Sequence, residues 1–293
     1  VPNTLAAGLR GNKTNTIGVL IPTVTQPFLS SLISGIEIAA QKSGYNVIIM
    51  QSHDSYEEEV SMAKSLYGSR VSGIICSLGM KTVDTSHFQQ FVNNNIPIVF
   101  VDRVPKDFNT FRVIIDNYAA AFKATTHLIE QGCTRIAHIT AGSEFGNLYN
   151  ERKRGYLDAL KKYNLPIEKE LIADLKTVTY NEALKASNKL LDLKNRPDGL
   201  FASGDIMAVS AIQSAKKRGL RIPEDFAVIG FNNDPISEII APNLSTITHP
   251  AAKMGQMSAE IILKSIKFPN KDEVKEITFL NTEVLVRESS KRI

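Results

Sequence analysis

Several polar side chains stand where a buried run of the sequence ends, and their chemistry is that of small-molecule recognition. Gln26, after the first apolar run, offers both an amide donor and a carbonyl acceptor. Asp102 and Arg103 end another run and place a carboxylate beside a forked guanidinium, which suits the hydroxyls of a polyol. Ser77 and His249 also stand at strand ends, but a lone histidine usually only satisfies local hydrogen bonds. We therefore expect a polar binding site.

Two further candidates have a structural interpretation that the residues alone leave open. Phe28 follows Pro27 at the mouth of the first crossover, where its ring either faces a ligand or packs in the core. Asp205 lies where a strand gives way to a helix, so its carboxylate either contacts a ligand or caps that helix.

Short β-branched runs alternate with amphipathic stretches almost throughout the chain, and this alternation predicts an α/β fold with parallel sheets and right-handed crossovers. The predicted strands are Thr16–Ile21, Tyr45–Gln51, Gly73–Ser77, Ile98–Asp102, Arg112–Ile115, Arg135–Thr140, Gly199–Ala202, Ala227–Phe231 and Glu283–Val286. The predicted helices are Pro27–Lys42, Tyr56–Ser69, Ser86–Asn93, Tyr118–Gln131, Glu151–Tyr163, Asn181–Leu193, Met207–Arg218 and Ala251–Lys267.

These elements are too many for one small sheet, so the pattern favours two doubly wound parallel-sheet subdomains. We expect residues 16–131 with 248–272 to form the N-terminal subdomain, and residues 132–247 with 273–293 to form the C-terminal one. Two subdomains built in this similar way commonly bind a ligand in the cleft between them, at the carboxyl ends of their strands.

The bulk properties of the chain narrow the functional classes. A net charge of +4 over 293 residues is too weak to make the body a nucleic-acid binder by electrostatics alone. No apolar run approaches the roughly 20 residues that a membrane span needs, so no membrane partner is expected. The two cysteines, Cys76 and Cys133, fit a reducing compartment and have neither metal nor redox spacing.

Signatures of catalysis are also missing from the sequence. There is no glycine-rich dinucleotide fingerprint, no nucleophile elbow and no histidine pair at metal spacing. The run Gly11–Thr14 faintly echoes a phosphate-binding loop, but the strand comes after it rather than before. We therefore expect no enzymatic activity, no cofactor and no metal site.

A set of short motifs follows one another in order over nearly the whole chain. They are Pro2-Asn3, Leu9, Thr16–Val19, Pro27-Phe28, Gly35–Glu37, Ser72–Ile75, Pro97–Val99, Asp102-Arg103, Asp116-Asn117, Arg152–Tyr156, Ser203–Ala208, Gly219–Asp225, Ile229–Phe231 and Thr246-Ile247. Taken together, this ordered set resembles the LacI/GalR family of transcriptional regulators. Many of the motifs are shared with periplasmic sugar-binding proteins, whereas the N-terminal segment and Gly219–Asp225 point to the regulators.

The resemblance implies that residues 1–15 are a hinge helix and linker to a DNA-binding headpiece missing from this sequence. In the family such a helix forms against operator DNA and inserts a leucine into the minor groove. Leu9 stands at the matching position, and Asn3 is the expected cap or backbone contact. A basic or polar residue commonly lies two positions before that leucine, where this chain has Ala7.

The same resemblance assigns roles in the ligand site. It implies that the ring of Phe28 stacks on the ligand and that Arg152 reads a hydroxyl or carboxylate. Asn232 stands where many relatives carry an aspartate. Leu175 replaces a frequent aromatic wall, and Gly204 replaces a frequent asparagine. These three departures weaken the expectation that the ligand is a sugar.

The function implied is that of a cytoplasmic, homodimeric regulator that binds a small polar effector, expected to be a carbohydrate, and couples this to operator DNA. The resemblance places dimer contacts on Tyr56–Ser69, Ser86–Asn93 and their C-terminal counterparts. A periplasmic sugar-binding protein of a transporter and an enzyme on the same fold remain the alternatives.

Overall fold

The computed structural model describes residues 14–141, 148–269 and 276–292. The chain divides into two compact units. The first comprises residues up to Ile115 together with Pro250–Leu280, and the second comprises Asp116–His249 together with the residues from Asn281 onward. Each unit contains a six-stranded sheet.

The first unit alternates strands and helices in the way that the sequence pattern predicts. Its strands are β1 (Thr16–Ile21), β2 (Asn46–Gln51), β3 (Gly73–Cys76), β4 (Ile98–Val101), β5 (Phe111–Ile115) and β11 (Ile277–Leu280). Its helices are α1 (Pro27–Lys42), α2 (Tyr56–Gly68), a 3-10 turn (Ser86–Phe88), α3 (Gln89–Asn93) and α9 (Ala251–Lys267). The strand order is β11-β5-β4-β3-β1-β2, and every neighbouring pair is parallel.

Two helices of the first unit come together through glycines. A Cβ atom on Gly35 of α1 would lie 2.0 Å from the carbonyl oxygen of Ala252 in α9. A Cβ on Gly255 of α9 would lie 2.0 Å from the carbonyl oxygen of Leu32 in α1. Each glycine therefore lets the backbone of the other helix approach closely, which no residue with a Cβ allows.

The second unit repeats the same architecture. Its strands are β6 (Ile136–Ala141), β7 (Ile172–Leu175), β8 (Gly199–Ala202), β9 (Ala227–Asn232), β10 (Ser245–Thr248) and β12 (Val284–Leu285). Its helices are α4 (Asn117–Glu130), α5 (Leu148–Lys162), a 3-10 turn (Lys169–Leu171), α6 (Tyr180–Leu191), α7 (Asp205–Lys217) and α8 (Ile236–Ile239). The strand order is β12-β10-β9-β8-β6-β7, and only the pairing of β10 with β12 is antiparallel.

The predicted fold class, an α/β fold with two doubly wound, largely parallel-sheet units, is confirmed. The predicted strands and helices are present to within a few residues, except that Ser86–Asn93 begins as a 3-10 turn. The sequence pattern did not predict the strands β7, β10 and β11.

The unit boundaries differ from those predicted. Residues 116–131 were expected in the N-terminal subdomain, but α4 packs on α5 and belongs to the second unit. A Cβ on Gly155 of α5 would lie 2.4 Å from the carbonyl oxygen of Tyr118 in α4, which shows how close this contact is. Conversely, β11 pairs with β5 and joins the first unit, although residues 273–293 were expected in the C-terminal one.

Within the described ranges, no helix is long and apolar enough to cross a membrane.

Candidate ligand-binding site

A buried arginine lies at the carboxyl edge of the second sheet. The Arg152 side chain projects from α5, and the residue is only 2% exposed. Its Nε donates to Oδ1 of Asn117 at 2.8 Å, and its Nη1 donates to the carbonyl of Ser203 at 2.8 Å. Its Cζ lies 3.5 Å from the centroid of the Phe231 ring, well within the range of a cation–π contact. The first residue of α4, the residue after β8 and a residue of β9 therefore fix the guanidinium.

Two other predicted residues lie beside Phe231. Asn232 ends β9 with a φ of 114°, in the region that favours glycine and is tolerated by asparagine. His249 follows β10, and its Nδ1 is 3.2 Å from Oδ1 of Asn232. Burial, and after it the positive charge of Arg152, hold the pKa of His249 well below its ordinary value, so the imidazole is neutral at pH 7. The second unit therefore brings Arg152, Asn232 and His249 together.

Asp205 is not the helix cap that was one of its two expected roles. It does not cap α7, because the N-cap residue is Gly204 and Asp205 is the first residue of the helix. Its fully buried carboxyl lies 2.7 Å from the Thr246 hydroxyl through Oδ1, and its Oδ2 accepts the backbone N–H of Asp234 at 2.7 Å. A Cβ on Gly230 would stand 2.2 Å from Oδ1, so this glycine makes room for the carboxyl. These contacts tie α7 to β10 and to the turn after β9. That Asp205 also contacts a ligand stays a prediction.

The protonation of Asp205 gives a testable pH dependence. Burial raises the pKa of Asp205 from 3.8 to about 8, and the charge of Asp234 acts in the same direction. Because the folded-state pKa is raised, the contribution of this carboxyl to stability is fully present below its unfolded pKa and is lost as the pH rises through about 8. Asp205→Asn keeps the shape of the protonated acid and has no proton to lose. We expect the variant to match the wild type near pH 4 and to unfold at a higher temperature than the wild type near pH 9.

Thermal unfolding measured from acidic to alkaline pH checks this expectation. Asp107→Asn, at an exposed position in the first unit, is the control and should leave the pH profile unchanged. A constant difference in unfolding temperature between Asp205→Asn and the wild type at every pH would contradict it.

A separate polar cluster lies in the first unit, after β2, β3 and β4. Arg103, 6% exposed, donates from Nη1 to Oδ1 of Asp54 at 2.6 Å. The same oxygen accepts the backbone N–H of Met80 at 2.9 Å. The burial of Arg103 sets this pair apart from an exposed ion pair, which contributes only about 0–1 kcal/mol. Asp54 was not predicted, although it follows β2 as Asp102 follows β4 and has the same strand-end signal.

The remaining predicted residues of the first unit lie near the ends of β1, β3 and β4. Gln26 is the N-cap residue of α1 and makes no side-chain cap, and Phe28 is buried in the first turn of that helix. Ser77 is buried after β3, and within the described ranges its Oγ has no hydrogen-bond partner. Asp102 has a φ of 63°, and its N–H donates to the carbonyl of Val113 at 3.1 Å. That these residues contact a ligand stays a prediction.

Two predicted residues, Asn3 and Leu9, lie outside the described residues. In the part of the chain that the structure describes, no group of three or more His, Cys, Asp or Glu side chains is placed to hold a metal ion.

Comparison with known proteins gives matches over almost the full length. Residues 125–290 match the family described as the periplasmic binding protein-like domain. The chain is 31% identical over 291 residues to catabolite control protein A of Priestia megaterium, a match that covers 99% of this chain and 86% of that protein.

Solved structures that share the fold include two regulators with a bound sugar. One is the transcriptional regulator CelR in complex with cellobiose, with a TM-score of 0.83, 26% identity, and coverage of 94% of this chain and 85% of that one. The other is a LacI family transcriptional regulator from Enterococcus faecium with bound ribose, with a TM-score of 0.82, 28% identity, and coverage of 94% and 98%.

Proposed function

The chain belongs to the LacI/GalR family of transcriptional regulators, and on this premise we propose that it is the effector-binding core of a ligand-responsive regulator. The effector is a small polar molecule, a sugar or sugar derivative, that binds at the carboxyl edge of the second sheet. The observation that carries the proposal is the Arg152 guanidinium, fixed by three elements with Asn232 and His249 beside it.

The chemistry of this edge fits a hydroxylated ligand. The guanidinium only donates hydrogen bonds, whereas a carboxamide and a neutral imidazole each offer a donor and an acceptor. Hydroxyl groups need both kinds of partner. The family resemblance implies an aspartate at the position of Asn232. The carboxamide supplies an uncharged acceptor there, and we expect it to change which sugars bind. Relatives of this fold include one in complex with cellobiose and one with bound ribose, which supports the sugar class.

We propose that effector binding changes the affinity of the protein for operator DNA. The protein works in the cytoplasm as a homodimer that binds operator DNA through a headpiece and the hinge of residues 1–15. Binding of the effector and binding of operator DNA are then coupled. The coupling is reciprocal: if the effector changes the affinity for DNA by a given factor, DNA changes the affinity for the effector by the same factor. The relatives are named as regulators rather than as enzymes, and no catalytic role is proposed.

A thermal-shift screen of sugars, sugar acids and purines tests the effector proposal. We expect one chemical class to raise the unfolding temperature in a concentration-dependent way, as any ligand that binds only the folded state does. A screen with no stabilising compound would count against the proposal. Recovery of the bound compound unchanged separates binding from turnover.

The coding sequence upstream of Val1 separates the regulator from a transport protein. A regulator requires about 60 codons with a helix-turn-helix pattern. A periplasmic sugar-binding protein requires a signal peptide instead.

Leu9→Ala in the full-length gene product tests the hinge. Loss of the leucine that wedges between base steps should weaken specific operator binding at least about tenfold, since an apolar wedge supports the bend that the protein requires. Fluorescence anisotropy with operator and with unrelated DNA measures this effect. Effector affinity and nonspecific DNA binding are the internal controls and should not change. Equal operator affinity for the variant and the wild type would remove Leu9 from the DNA contact.

A further inference from the structure

We propose that Ser203 is a positioning residue of the effector site: its hydroxyl is anchored on β6, and its carbonyl is thereby aimed at the guanidinium of Arg152. This inference rests on the proposed function and deepens it, because it identifies which groups orient the arginine that binds the effector. Both residues belong to the second unit, and each is at most 2% exposed.

The hydroxyl of Ser203 has two acceptors on the neighbouring strand. Its Oγ donates to Oγ1 of Thr140 at 3.1 Å and lies 3.5 Å from Nε2 of His138. The last paired residues of the two strands are Ile139 of β6 and Ala202 of β8, so the hydroxyl extends the attachment one residue beyond β8. Ser203 is 1% exposed and its only hydroxyl proton is donated to Thr140, so it acts through Arg152 rather than on the effector.

The imidazole of His138 is itself fixed, and its tautomer follows from its partners. The ring is stacked between Tyr156 of α5 and Phe201 of β8, with each ring centroid 4.7 Å away. Its Nδ1 lies 2.9 Å from the carbonyl of Phe201, which only accepts, so Nδ1 has the proton. Burial lowers the pKa of His138 from 6.5 to about 4, so the ring is neutral at pH 7. Its Nε2 therefore has a lone pair and is a second acceptor for the hydroxyl of Ser203.

The anchored residue presents its backbone carbonyl to Arg152. This carbonyl accepts from Nη1 at 2.8 Å, while Nε of the same guanidinium donates to Oδ1 of Asn117 at 2.8 Å. Because a guanidinium is planar and rigid, two hydrogen bonds at separate nitrogens fix its plane over the ring of Phe231. If Ser203 shifts, the bond at Nη1 weakens while the bond at Nε remains. The guanidinium can then turn about its Nε–Cζ bond.

Nuclear magnetic resonance of the arginine side chains tests this role without any effector. The guanidinium nitrogens of Arg152 are identified by the loss of their signals in Arg152→Lys. In the wild type we expect separate Nη1 and Nη2 signals, because rotation about the Nε–Cζ bond has to break the bond to Ser203. Ser203→Ala keeps the carbonyl and removes the hydroxyl. In this variant we expect the two signals to exchange about two- to tenfold faster, the factor that corresponds to one neutral hydrogen bond.

Two substitutions of Thr140 distinguish the hydrogen bond from simple packing. Thr140→Val keeps the branched shape but accepts no hydrogen bond, so the exchange of the Arg152 signals should become faster, as in Ser203→Ala. Thr140→Ser keeps the acceptor and removes a buried methyl group, so the exchange should stay at the wild-type rate while the protein becomes less stable. A role in packing alone predicts the opposite order of the two variants.

Ser187→Ala is the matched control, because it removes an equally buried serine hydroxyl from the second unit. That hydroxyl donates to the carbonyl of Ala183 at 2.8 Å and lies 3.2 Å from the hydroxyl of Ser210, so its hydrogen bonds are with α6 and α7. The Arg152 signals should exchange as in the wild type. Wild-type exchange in Ser203→Ala, or faster exchange in Thr140→Ser than in Thr140→Val, would overturn the proposal.

Calorimetric binding of D-ribose and of cellobiose separates this proposal from the proposed function. For a sugar that binds the wild type, we expect affinity to be about two- to tenfold lower in Ser203→Ala and in Thr140→Val. We expect no such fall in Thr140→Ser or Ser187→Ala. Wild-type affinity in both Ser203→Ala and Thr140→Val would overturn the role in the effector site. If neither sugar binds the wild type, the choice of these sugars fails, while the magnetic resonance result still decides whether Ser203 orients Arg152.

Discussion

Replacing Arg152 with alanine should abolish the rise in unfolding temperature that the effector produces. The substitution removes a fixed guanidinium, and a hydrogen bond from a charged donor contributes about 1.5–3 kcal/mol. The loss of two such bonds to the effector corresponds to a fall in affinity of at least about a hundredfold. Thermal shift and calorimetry with the effector found in the screen measure this change.

Arg154→Ala is the matched control for this experiment, because it removes the same group two residues further along the same helix. Arg154 is exposed and forms an ion pair with Glu151 at 2.6 Å. Its loss should leave the effector-induced rise unchanged, since exposed pairs contribute about 0–1 kcal/mol.

Arg152→Ala also leaves the buried acceptors on Asn117 and Ser203 without their donor, so the variant without effector should unfold at a lower temperature. The effector-induced increment, rather than the absolute unfolding temperature, is therefore the decisive quantity. An increment equal to that of the wild type would place Arg152 outside the site.

The strands that the sequence did not predict are the ones with weak local signals. β1, with its apolar run Ile17–Ile21, is buried along nearly its whole length and was predicted correctly. β7 and β11 are edge strands with partly exposed residues, and β7 contains Asp174. β10 consists mainly of hydroxyl residues. β7 and β11 form because they pair with the last strand of a sheet, and β10 forms because it pairs with β9 on one side and β12 on the other. These pairings are a tertiary cause that no window of the sequence contains.

The residue at which the chain passes from the first unit into the second could not be predicted from the sequence, for a similar reason. The amphipathic pattern of α4 shows that the helix has a buried face, but it does not show which unit covers that face. The close contact of α4 with Gly155 of α5 settles the matter only in three dimensions.

The sequence predicts those residues of the candidate site that directly follow a predicted strand. Parallel strands place their carboxyl ends at one edge, which is why Asn232 and His249 lie together. The partners Asn117 and Asp54 also follow strands and could have been found by the same criterion. The contacts of Asp205 could not have been predicted in this way, because they depend on the space left by Gly230 and on two other elements of the fold.

Gly255→Ala should be among the most destabilising single substitutions in the first unit. Its Cβ would lie 2.0 Å from the carbonyl oxygen of Leu32 and 3.1 Å from the backbone nitrogen of Ile36, so α1 and α9 would have to move apart. Overpacking of a core typically lowers the free energy of unfolding by about 1–3 kcal/mol. We expect a loss at or above the upper end of this range, because the clash is with backbone rather than with a flexible side chain. The gain of up to about 1 kcal/mol in helix propensity does not offset this cost.

Gly68→Ala provides the matched control, because Gly68 ends α2, and a Cβ there would meet nothing within 4 Å. That variant should be neutral or slightly more stable, since alanine narrows the unfolded ensemble without a clash. Urea unfolding of both variants measures the difference in the free energy of unfolding, which we expect to be about 3 kcal/mol or more. Equal stability of the two variants would mean that α1 and α9 can separate at little cost, and that their glycines are not required for the contact.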